Sequence, residues 1–259
     1  MKSYKAYCFD LDGTVYRGKT AIDSAVTFIH HLQEQRIEPF YVTNNSSKTP
    51  EQLQQSLHDI GISAPLSHIY SSSLATAKYV AKNCPDKLVN FVGEVGLHTA
   101  LEQEGLVISD EPCSVLVMGI DRQMTYDKLV QASYAVQKGA QLIGTNGDIK
   151  FPTENGFAPG NGSLVHLVAN VAGVEPIFIG KPSPVMLQII AQEHGFTKED
   201  MLMIGDNYDT DILCGINFGC DTLHVNTGVT PTHIVKQKEE LPTYCIESLT
   251  CFSRASNPG

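Results

Sequence analysis

Two aspartates stand two positions apart in the run Asp10-Leu11-Asp12-Gly13-Thr14. This run follows the apolar segment Ala6-Tyr7-Cys8-Phe9, which is typical of a buried strand, and Gly13 allows the backbone to turn after it. Paired carboxylates at such a strand end can share a hard cation, and one can attack an electrophile while the other transfers protons. A solvated Asp-Gly turn that only ends a strand is the alternative interpretation.

A second acidic run, Gly205-Asp206-Asn207-Tyr208-Asp209-Thr210-Asp211, follows the apolar segment Met201–Ile204. Its position predicts that Asp206 lies at a strand end and binds a metal directly. Asp211 falls one turn into the next helix, where we expect it to complete the metal shell or hold a metal-bound water. A charge that favours the helix N-terminus is the alternative for Asp211. Asn207 is predicted to lie beside the metal in the same way.

Further polar groups follow two other apolar segments. Thr43 and Asn44 come after Phe40-Tyr41-Val42, and Lys181 comes after the predicted strand Pro176–Ile179 with a glycine between. Ligands sit beyond the carboxyl ends of strands in an open parallel sheet, so we expect these ends to meet. A hydroxyl, an amide and an ammonium there would bind phosphoryl oxygens while the carboxylates hold Mg²⁺. A polar loop and a solvated lysine are the alternatives.

This set of residues predicts phosphoryl-transfer chemistry. A phosphate dianion repels nucleophiles, but a carboxylate can attack it when a cation and Lys181 neutralise charge on both partners. Asp10 is therefore the predicted nucleophile, which forms an aspartyl-phosphate. Asp12 is the predicted general acid and base, because it can protonate the leaving alkoxide and then take a proton from the hydrolytic water.

Composition restricts the kind of partner. The chain has 28 acidic and 18 basic residues and a net charge of −10, which argues against binding nucleic acid or an anionic membrane. A small phosphorylated metabolite is still compatible with this negative charge, because a bound metal and one lysine can make the electrostatic field at the site positive. The seven cysteines contain no C-x-x-C pair, and no signal peptide or membrane-spanning run is recognised. We therefore expect a cytoplasmic protein without structural disulfides or zinc.

Strand-like and helix-like segments alternate along the chain, which predicts an α/β fold with a mostly parallel sheet. A second α/β pattern interrupts the first, which resumes with the predicted strand Pro176–Ile179. Within the insert, a loop rich in Gly and Pro is predicted at Gly156–Gly162. We therefore predict a discontinuous core formed by residues 1–77 and 178–259, with an inserted α/β domain at 78–177.

In this order, the polar residues resemble the four motifs of the haloacid-dehalogenase-like (HAD) hydrolase superfamily. The run from Asp10 to Thr14 resembles the first motif, Thr43 with Asn44 the second, Lys181 the third, and Gly205 through Asp211 the fourth. The forms Gly-Lys-Pro-Ser-Pro and Gly-Asp-Asn-x-x-Thr-Asp resemble the NagD-like, or p-nitrophenylphosphatase, branch. The insert is similar to the large C2-type α/β cap domain of that branch.

The resemblance implies a Rossmann-like parallel-sheet core, Mg²⁺ dependence and phosphomonoester hydrolysis. It also implies that Asp10, the backbone carbonyl of Asp12, and Asp206 bind the metal. Dehalogenase relatives lack the second aspartate of the first motif, so Asp12 favours phosphate over carbon–halogen chemistry. Related caps vary at Ile149–Pro152, which makes Lys150 and Phe151 the predicted specificity residues.

Two loops of the insert resemble loops of related caps: Gly144–Asp148 and Pro159–Ser163. Asn146 and Asp148 in the first loop are candidates for contact with the substrate or with the backbone of the insert. A structural role is the favoured interpretation for both.

The leading hypothesis is a cytoplasmic Mg²⁺-dependent phosphatase, HAD-like and NagD-like, acting on a small phosphorylated metabolite. Sugar phosphates, nucleoside monophosphates and phosphoglycolate-like acids all fit the pattern, as do a monomer and a homodimer. One alternative is a non-enzymatic, receiver-like module in which Asp10 accepts a phosphoryl group or the acidic cluster senses a metal. A phosphotransferase that passes the group to an alcohol would use the same residues.

Overall fold

The computed structural model describes residues 2–250. The chain divides into two compact units by its internal contacts. The first unit comprises Met1–Thr43, Glu51–Tyr70 and Lys181–Gly259, and the second comprises Asn44–Pro50 and Ser71–Gly180. The units thus separate before Ser71 and after Gly180, whereas the sequence predicted boundaries after residues 77 and 177. The assignment of catalytic core and cap stays a prediction.

Strands and helices alternate through the described residues. The strands are β1 (Ala6–Phe9), β2 (Tyr16–Arg17), β3 (Thr20–Ala21), β4 (Phe40–Thr43), β5 (Ile69–Ser71), β6 (Leu88–Val92), β7 (Val107–Ile108), β8 (Val115–Met118), β9 (Gln141–Gly144), β10 (Lys150–Thr153), β11 (Gly156–Pro159), β12 (Ile177–Phe178), β13 (Met201–Gly205), β14 (Asp221–Val225) and β15 (Tyr244–Ile246). The α-helices are α1 (Asp23–Glu34), α2 (Pro50–His58), α3 (Ser72–Asn83), α4 (Val95–Gln103), α5 (Tyr126–Gln137), α6 (Asn161–Ala172), α7 (Val185–His194), α8 (Leu213–Phe218) and α9 (Thr232–Val235).

The first unit contains a six-stranded sheet in the order β15-β14-β13-β1-β4-β5. Strand β1 pairs in parallel with both β13 and β4, and every residue of these three strands is buried. Near-continuous apolar runs are typical of parallel strands that are covered on both faces. The chain places β4 and β5 on one side of β1 and β13 to β15 on the other, so the strand order reverses beside β1.

The core of the first unit lies against this sheet. Phe9, Tyr41 and Ile204 from the strands are fully buried with Ile29 of α1 and Leu53 of α2. The helix α2 begins at Pro50, a residue that suits the first helical position because it has no N–H to satisfy. Burial of the apolar stripes of these helices against the sheet forms this core.

The second unit has its own five-stranded sheet in the order β12-β9-β8-β6-β7, and a separate two-stranded hairpin of β10 and β11. The pairs of this sheet run parallel. Helix α3 packs against α4, and α5 against α6. The predicted α/β fold with a parallel-sheet core is therefore confirmed. No helix within residues 2–250 is both long and apolar enough to cross a membrane.

The structure corrects two sequence predictions in this unit. The predicted loop at Gly156–Gly162 contains strand β11, which pairs antiparallel with β10. A two-stranded ribbon leaves each strand with an open edge, where the prolines of this segment are tolerated.

The predicted strand at Pro176–Ile179 forms β12, but it extends the second unit's sheet instead of resuming the core. Phe178 lies opposite Gly144, where a built Cβ would be 2.6 Å from the Phe178 ring. A short apolar run does not identify its partner sheet, so the sequence could not make this assignment.

Candidate active site

The central strands of the first unit's sheet end in polar residues. Asp10 directly follows β1, and its backbone N–H donates to the carbonyl oxygen of Ile204 at 2.8 Å. Thr43 is the last residue of β4, and Asp206 directly follows β13. Because these strands are parallel neighbours, their carboxyl ends bring all three residues to one edge of the sheet. Asp10, Thr43 and Asp206 are buried.

Lys181 lies among acidic side chains although it is only 2% exposed. Its Nζ is 2.6 Å from Asp10 Oδ1 and 2.7 Å from Asp211 Oδ1, and it donates to the Val42 carbonyl oxygen at 2.9 Å. An ammonium has three N–H donors, and these three oxygens can accept them. The strand before Lys181 belongs to the second unit's sheet, so the expectation of a strand end in the same sheet was wrong. The lysine instead comes from the turn that precedes α7.

Three buried carboxylates form a group that we call the acidic triad. Its members are Asp10, Asp206 and Asp211, each with an oxygen within 4.8 Å of the others. Only one of the cations described in residues 2–250, Lys181, is buried against this triad, so the ionised group has an excess of negative charge. Buried charge of one sign is costly unless it is balanced. An all-oxygen donor set of this charge fits a hard divalent cation.

Hydrogen bonds fix the orientation of the triad. Asp206 accepts from Thr14 Oγ1 at 2.9 Å and from the backbone N–H of Val229 at 2.6 Å. Asp211 accepts from the backbone N–H of Asn207 at 3.0 Å. Thr14 stands in the first acidic run, but sequence reasoning gave it no role. The Val229 amide left no signal, because a backbone donor has no side-chain pattern.

Burial and mutual repulsion shift the ionisation of these groups. Burial raises the pKa of Asp10, and the charge of Asp211 raises it further, while Lys181 opposes both effects. Burial and Asp211 likewise raise the pKa of Asp206 to about 6, against the two hydrogen bonds that it accepts. Burial alone would lower the pKa of Lys181, but Asp10 and Asp211 raise it above the usual value. Lys181 is therefore an ammonium ion at neutral pH.

Asp12 has a different environment from Asp10. Leu11 between them is buried in the core, whereas Asp12 is exposed. Its Oδ1 accepts a long hydrogen bond from the backbone N–H of Gly18 at 3.4 Å. The Asp12 carboxylate lies outside the acidic triad, whose third member is Asp211. Metal binding through the Asp12 backbone carbonyl stays a prediction.

The second acidic run forms a π-helical turn, Tyr208–Ile212, directly before α8. The Asn207 side chain caps this turn by accepting from the backbone N–H of Asp209 at 3.1 Å. Asn207 thus contacts the triad through its backbone N–H, which donates to Asp211. The wider turn brings Asp211 into the triad itself.

The remaining predicted residues belong to the second unit. Asn44 Nδ2 donates to Asp148 Oδ2 at 3.2 Å. Lys150 and Phe151 lie in strand β10 of the hairpin. Lys150 is exposed, with its Nζ 4.3 Å from the ring centroid of Phe157, and Phe151 is half-buried. Their role in substrate selection stays a prediction.

Family models of HAD-like hydrolases match both the N-terminal and the C-terminal parts of the chain. The family described as haloacid dehalogenase-like hydrolase matches residues 7–107, and the related HAD-hydrolase-like family matches residues 178–251. An acid sugar phosphatase of Staphylococcus haemolyticus (strain JCSC1435) is 46% identical over 96% of this chain and 95% of its own length.

Solved structures agree with these sequence matches. A double mutant of a thermostable NPPase from Geobacillus stearothermophilus has a TM-score of 0.90 and 44% identity, and the match covers 96% of this chain and 98% of that one. A p-nitrophenyl phosphatase, described as putative, from Bacillus subtilis has a TM-score of 0.89 and 41% identity, over 98% of this chain and 97% of that one.

The parallel sheet, the triad at its carboxyl edge and these matches together define the class of the protein. The chain belongs to the haloacid dehalogenase-like hydrolase family. Within that family it falls in the NagD-like, p-nitrophenylphosphatase branch, so it is an enzyme of the phosphatase class. The resemblance seen in the four sequence motifs is confirmed.

Proposed function

We propose that this protein is a Mg²⁺-dependent phosphatase that hydrolyses a small phosphorylated metabolite through an aspartyl-phosphate on Asp10. The observation that carries the proposal is the buried ammonium of Lys181 between Asp10 and Asp211, with Asp206 completing the triad. A nucleophilic carboxylate beside both a cation and a metal-binding group is the arrangement that the attack on a phosphate dianion requires.

The acidic triad supports Mg²⁺ as the metal. Asp10, Asp206 and Asp211 supply the oxygen ligands that Mg²⁺ prefers, directly or through water, and the Asp12 backbone carbonyl would add another. When bound, Mg²⁺ would supply charge that neutralises the phosphoryl oxygens.

Asp10 carries the first step. A carboxylate oxygen of Asp10 bonds to phosphorus, and the bond between phosphorus and the leaving oxygen breaks. Lys181 holds the carboxylate through Oδ1 at 2.6 Å, which fixes its rotamer and offsets its charge. Thr43 at the end of β4, Asn44 and Lys181 bind the phosphoryl oxygens.

Asp12 handles the protons. It donates one to the leaving oxygen in the first step, and it removes one from the water that attacks the aspartyl-phosphate in the second. The water oxygen bonds to phosphorus as the bond between phosphorus and Asp10 breaks, so inorganic phosphate leaves, Asp10 is again a free carboxylate and Asp12 is again protonated. Exposure of Asp12 supports this role, because a proton-transfer group must reach the leaving oxygen and the attacking water.

The names of the relatives and the excess of acidic residues in the chain support a proposal for the substrate class. The staphylococcal relatives are named acid sugar phosphatases, which makes sugar phosphates the first candidates for this chain. The surplus of acidic residues, 28 against 18 basic, disfavours phosphorylated nucleic acids. We also propose a cytoplasmic location, which is consistent with the six free cysteines of residues 2–250.

Release of p-nitrophenol and of inorganic phosphate from p-nitrophenyl phosphate tests the proposal. We expect turnover with Mg²⁺, loss of turnover with a chelator, and a fall of roughly 10⁴-fold or more in kcat for Asp10→Asn. Asp209→Asn is the matched control, because Asp209 is exposed and pairs with Lys238 outside the triad. Turnover that survives Asp10→Asn would refute the nucleophile.

The same assay separates the alternatives. A receiver-like module would incorporate one phosphoryl group per chain without further release of phosphate. A phosphotransferase would release p-nitrophenol faster than phosphate when an alcohol such as glycerol is added. Equal rates of the two products, with and without glycerol, are expected for a phosphatase.

A further inference from the structure

We propose that Asp148 is a positioning residue for phosphate binding, which it serves by orienting Asn44. This inference rests on the proposed function, in which Asn44 follows Thr43 in the phosphate site. Asp148 and Asn44 both belong to the second unit, although they are 104 positions apart in the chain. Their contact joins the Gly144–Asp148 loop to the segment that directly continues strand β4.

Asn44 is held at its side chain and at its backbone separately. Its Nδ2 donates to Asp148 Oδ2 at 3.2 Å. Its carbonyl oxygen accepts from Asn146 Nδ2 at 2.6 Å and from Ser72 Oγ at 2.8 Å. An ionised carboxylate only accepts hydrogen bonds, so Asp148 selects which end of the Asn44 amide faces it. Asp148 therefore fixes the direction of Asn44 Nδ2, which has two N–H groups: one donates to Asp148, and the other is the donor proposed for a phosphoryl oxygen.

The loop that carries Asp148 is fixed from within its own unit. Asn161, which is 2% exposed, donates from Nδ2 to Thr145 Oγ1 at 3.2 Å and to the Asn146 carbonyl oxygen at 3.1 Å. A Cβ built on Gly162 would overlap the carbonyl oxygen of Gly147. This close approach leaves the loop little freedom, so the position of the Asp148 carboxylate is well defined.

The same loop also holds the segment that leads into Lys181. The backbone N–H of Gly180 donates to the carbonyl oxygen of Thr145 at 2.8 Å. A Cβ built on Gly180 would be 2.7 Å from Asn44 Oδ1, so glycine leaves the space that this amide oxygen occupies. One loop thus fixes the residue after Thr43 and the residue before Lys181.

Steady-state kinetics with p-nitrophenyl phosphate test the role of Asp148. Asp148→Ala removes the acceptor, so we expect KM and the inhibition constant of inorganic phosphate both to rise roughly 3- to 10-fold. We expect kcat to stay within about twofold, because an oriented phosphate donor binds ground state and transition state alike. Asp148→Asn keeps an acceptor oxygen and should recover most of the affinity.

A double-mutant cycle with Asn44→Ala shows whether Asp148 acts through Asn44. In that background, Asp148→Ala should change KM by less than about 1.5-fold, because the group it positions is gone. Additive effects would overturn the proposal, as would an unchanged KM in the single variant or equal losses in Asp148→Ala and Asp148→Asn. Asp110→Asn, an exposed carboxylate of the same unit, is the matched control and should leave KM unchanged.

Thermal melting confirms that each variant is folded. Should Asp148→Ala not fold, Asp148→Ser replaces it in the same cycle under the same criteria, because its hydroxyl is too short to reach Asn44 Nδ2. Absence of turnover in the wild-type protein would count against the proposed function. Wild-type turnover with no effect of Asp148 would count against this inference alone.

Discussion

Two aspartates separated by one residue occupy opposite environments in this protein. Asp10 is 7% exposed and pairs with Lys181. Asp12 is exposed, although the residue between the two aspartates, Leu11, is buried. Burial raises the pKa of Asp10, so its role as an ionised nucleophile depends on Lys181, which opposes this shift. The division of roles proposed for the pair therefore rests on the ion pair of Asp10 with Lys181 and on the exposure of Asp12.

Asp12→Asn tests this division. The variant keeps the nucleophile but lacks the base that activates water, so we expect kcat for alkyl phosphomonoesters to fall about 10²–10⁴-fold. With p-nitrophenyl phosphate, whose leaving group needs little protonation, rapid mixing should show a burst of p-nitrophenol equal to the enzyme concentration. The burst reports an aspartyl-phosphate that forms but is not hydrolysed.

Asp23→Asn is the control for this experiment, since Asp23 is exposed in the first turn of α1. It should show wild-type kcat and no burst. Wild-type kcat in Asp12→Asn would contradict the proposed acid and base.

The sequence identified the charged members of the site but not all of their partners. Asp10, Asp206 and Lys181 stand in runs whose residue types already indicate phosphate chemistry. Asp211 was also expected beside the metal, but the π-helical turn that carries it was not, because a change in helical pitch over one turn leaves no reliable pattern. The Val229 amide was missed because its contact with Asp206 is made by the backbone of a distant loop.

At the scale of the elements, the positions of short buried strands could be predicted from the sequence. The sheet that each strand joins could not. β1 and β4 were predicted because each is a short apolar run that ends in polar residues. β12 was also found as a strand, but its pairing with β9 depends on contacts between distant segments. The hairpin strand β11 was hidden by its glycine and proline, which usually indicate a loop.

The turn after β1 brings its backbone close to the second acidic run. Gly13 has a φ of +96°, which side chains rarely adopt, and a Cβ built there would be 2.6 Å from Asp206 Oδ2. Gly18 has a φ of +60°, but nothing lies within 4 Å of its built Cβ. Both glycines therefore adopt a backbone conformation that would strain any other residue, but only Gly13 lies against the triad.

We expect Gly13→Ala to lower kcat at least about tenfold, because it displaces Asp206, and to destabilise the fold by roughly 1–3 kcal/mol. Gly18→Ala should cost only about 1 kcal/mol and should leave kcat close to wild type. Activity assays and urea unfolding of both variants measure the two effects. Equal loss of activity in both would show that backbone strain, and not the contact with Asp206, is responsible.

At the scale of the whole molecule, every member of the acidic triad and its lysine belongs to the first unit. The excess negative charge of the triad weakens this unit unless a cation balances it. Binding of a divalent cation to the native state alone should therefore stabilise the protein.

We expect Mg²⁺ at a hundredfold excess over its dissociation constant to add about 2.7 kcal/mol of stability. For a chain of this size, that corresponds to a rise of about 5–10 °C in Tm. Differential scanning calorimetry with Mg²⁺ and with NaCl of equal ionic strength measures the shift. Asp206→Asn should abolish the shift and Asp209→Asn should keep it, whereas the same shift in both variants would place the cation elsewhere.

The pairing of β1 with β13 has a consequence for the order in which the protein forms during synthesis. Thr14 and its partner Asp206 are separated by 192 positions, so β1 leaves the ribosome long before the strand beside it. The second unit is complete once Gly180 has emerged, when β13 does not yet exist. Domains generally fold as soon as their residues are available. We therefore expect the second unit to fold before the first, whose acidic triad is completed only by Asp206 and Asp211 from the last quarter of the chain.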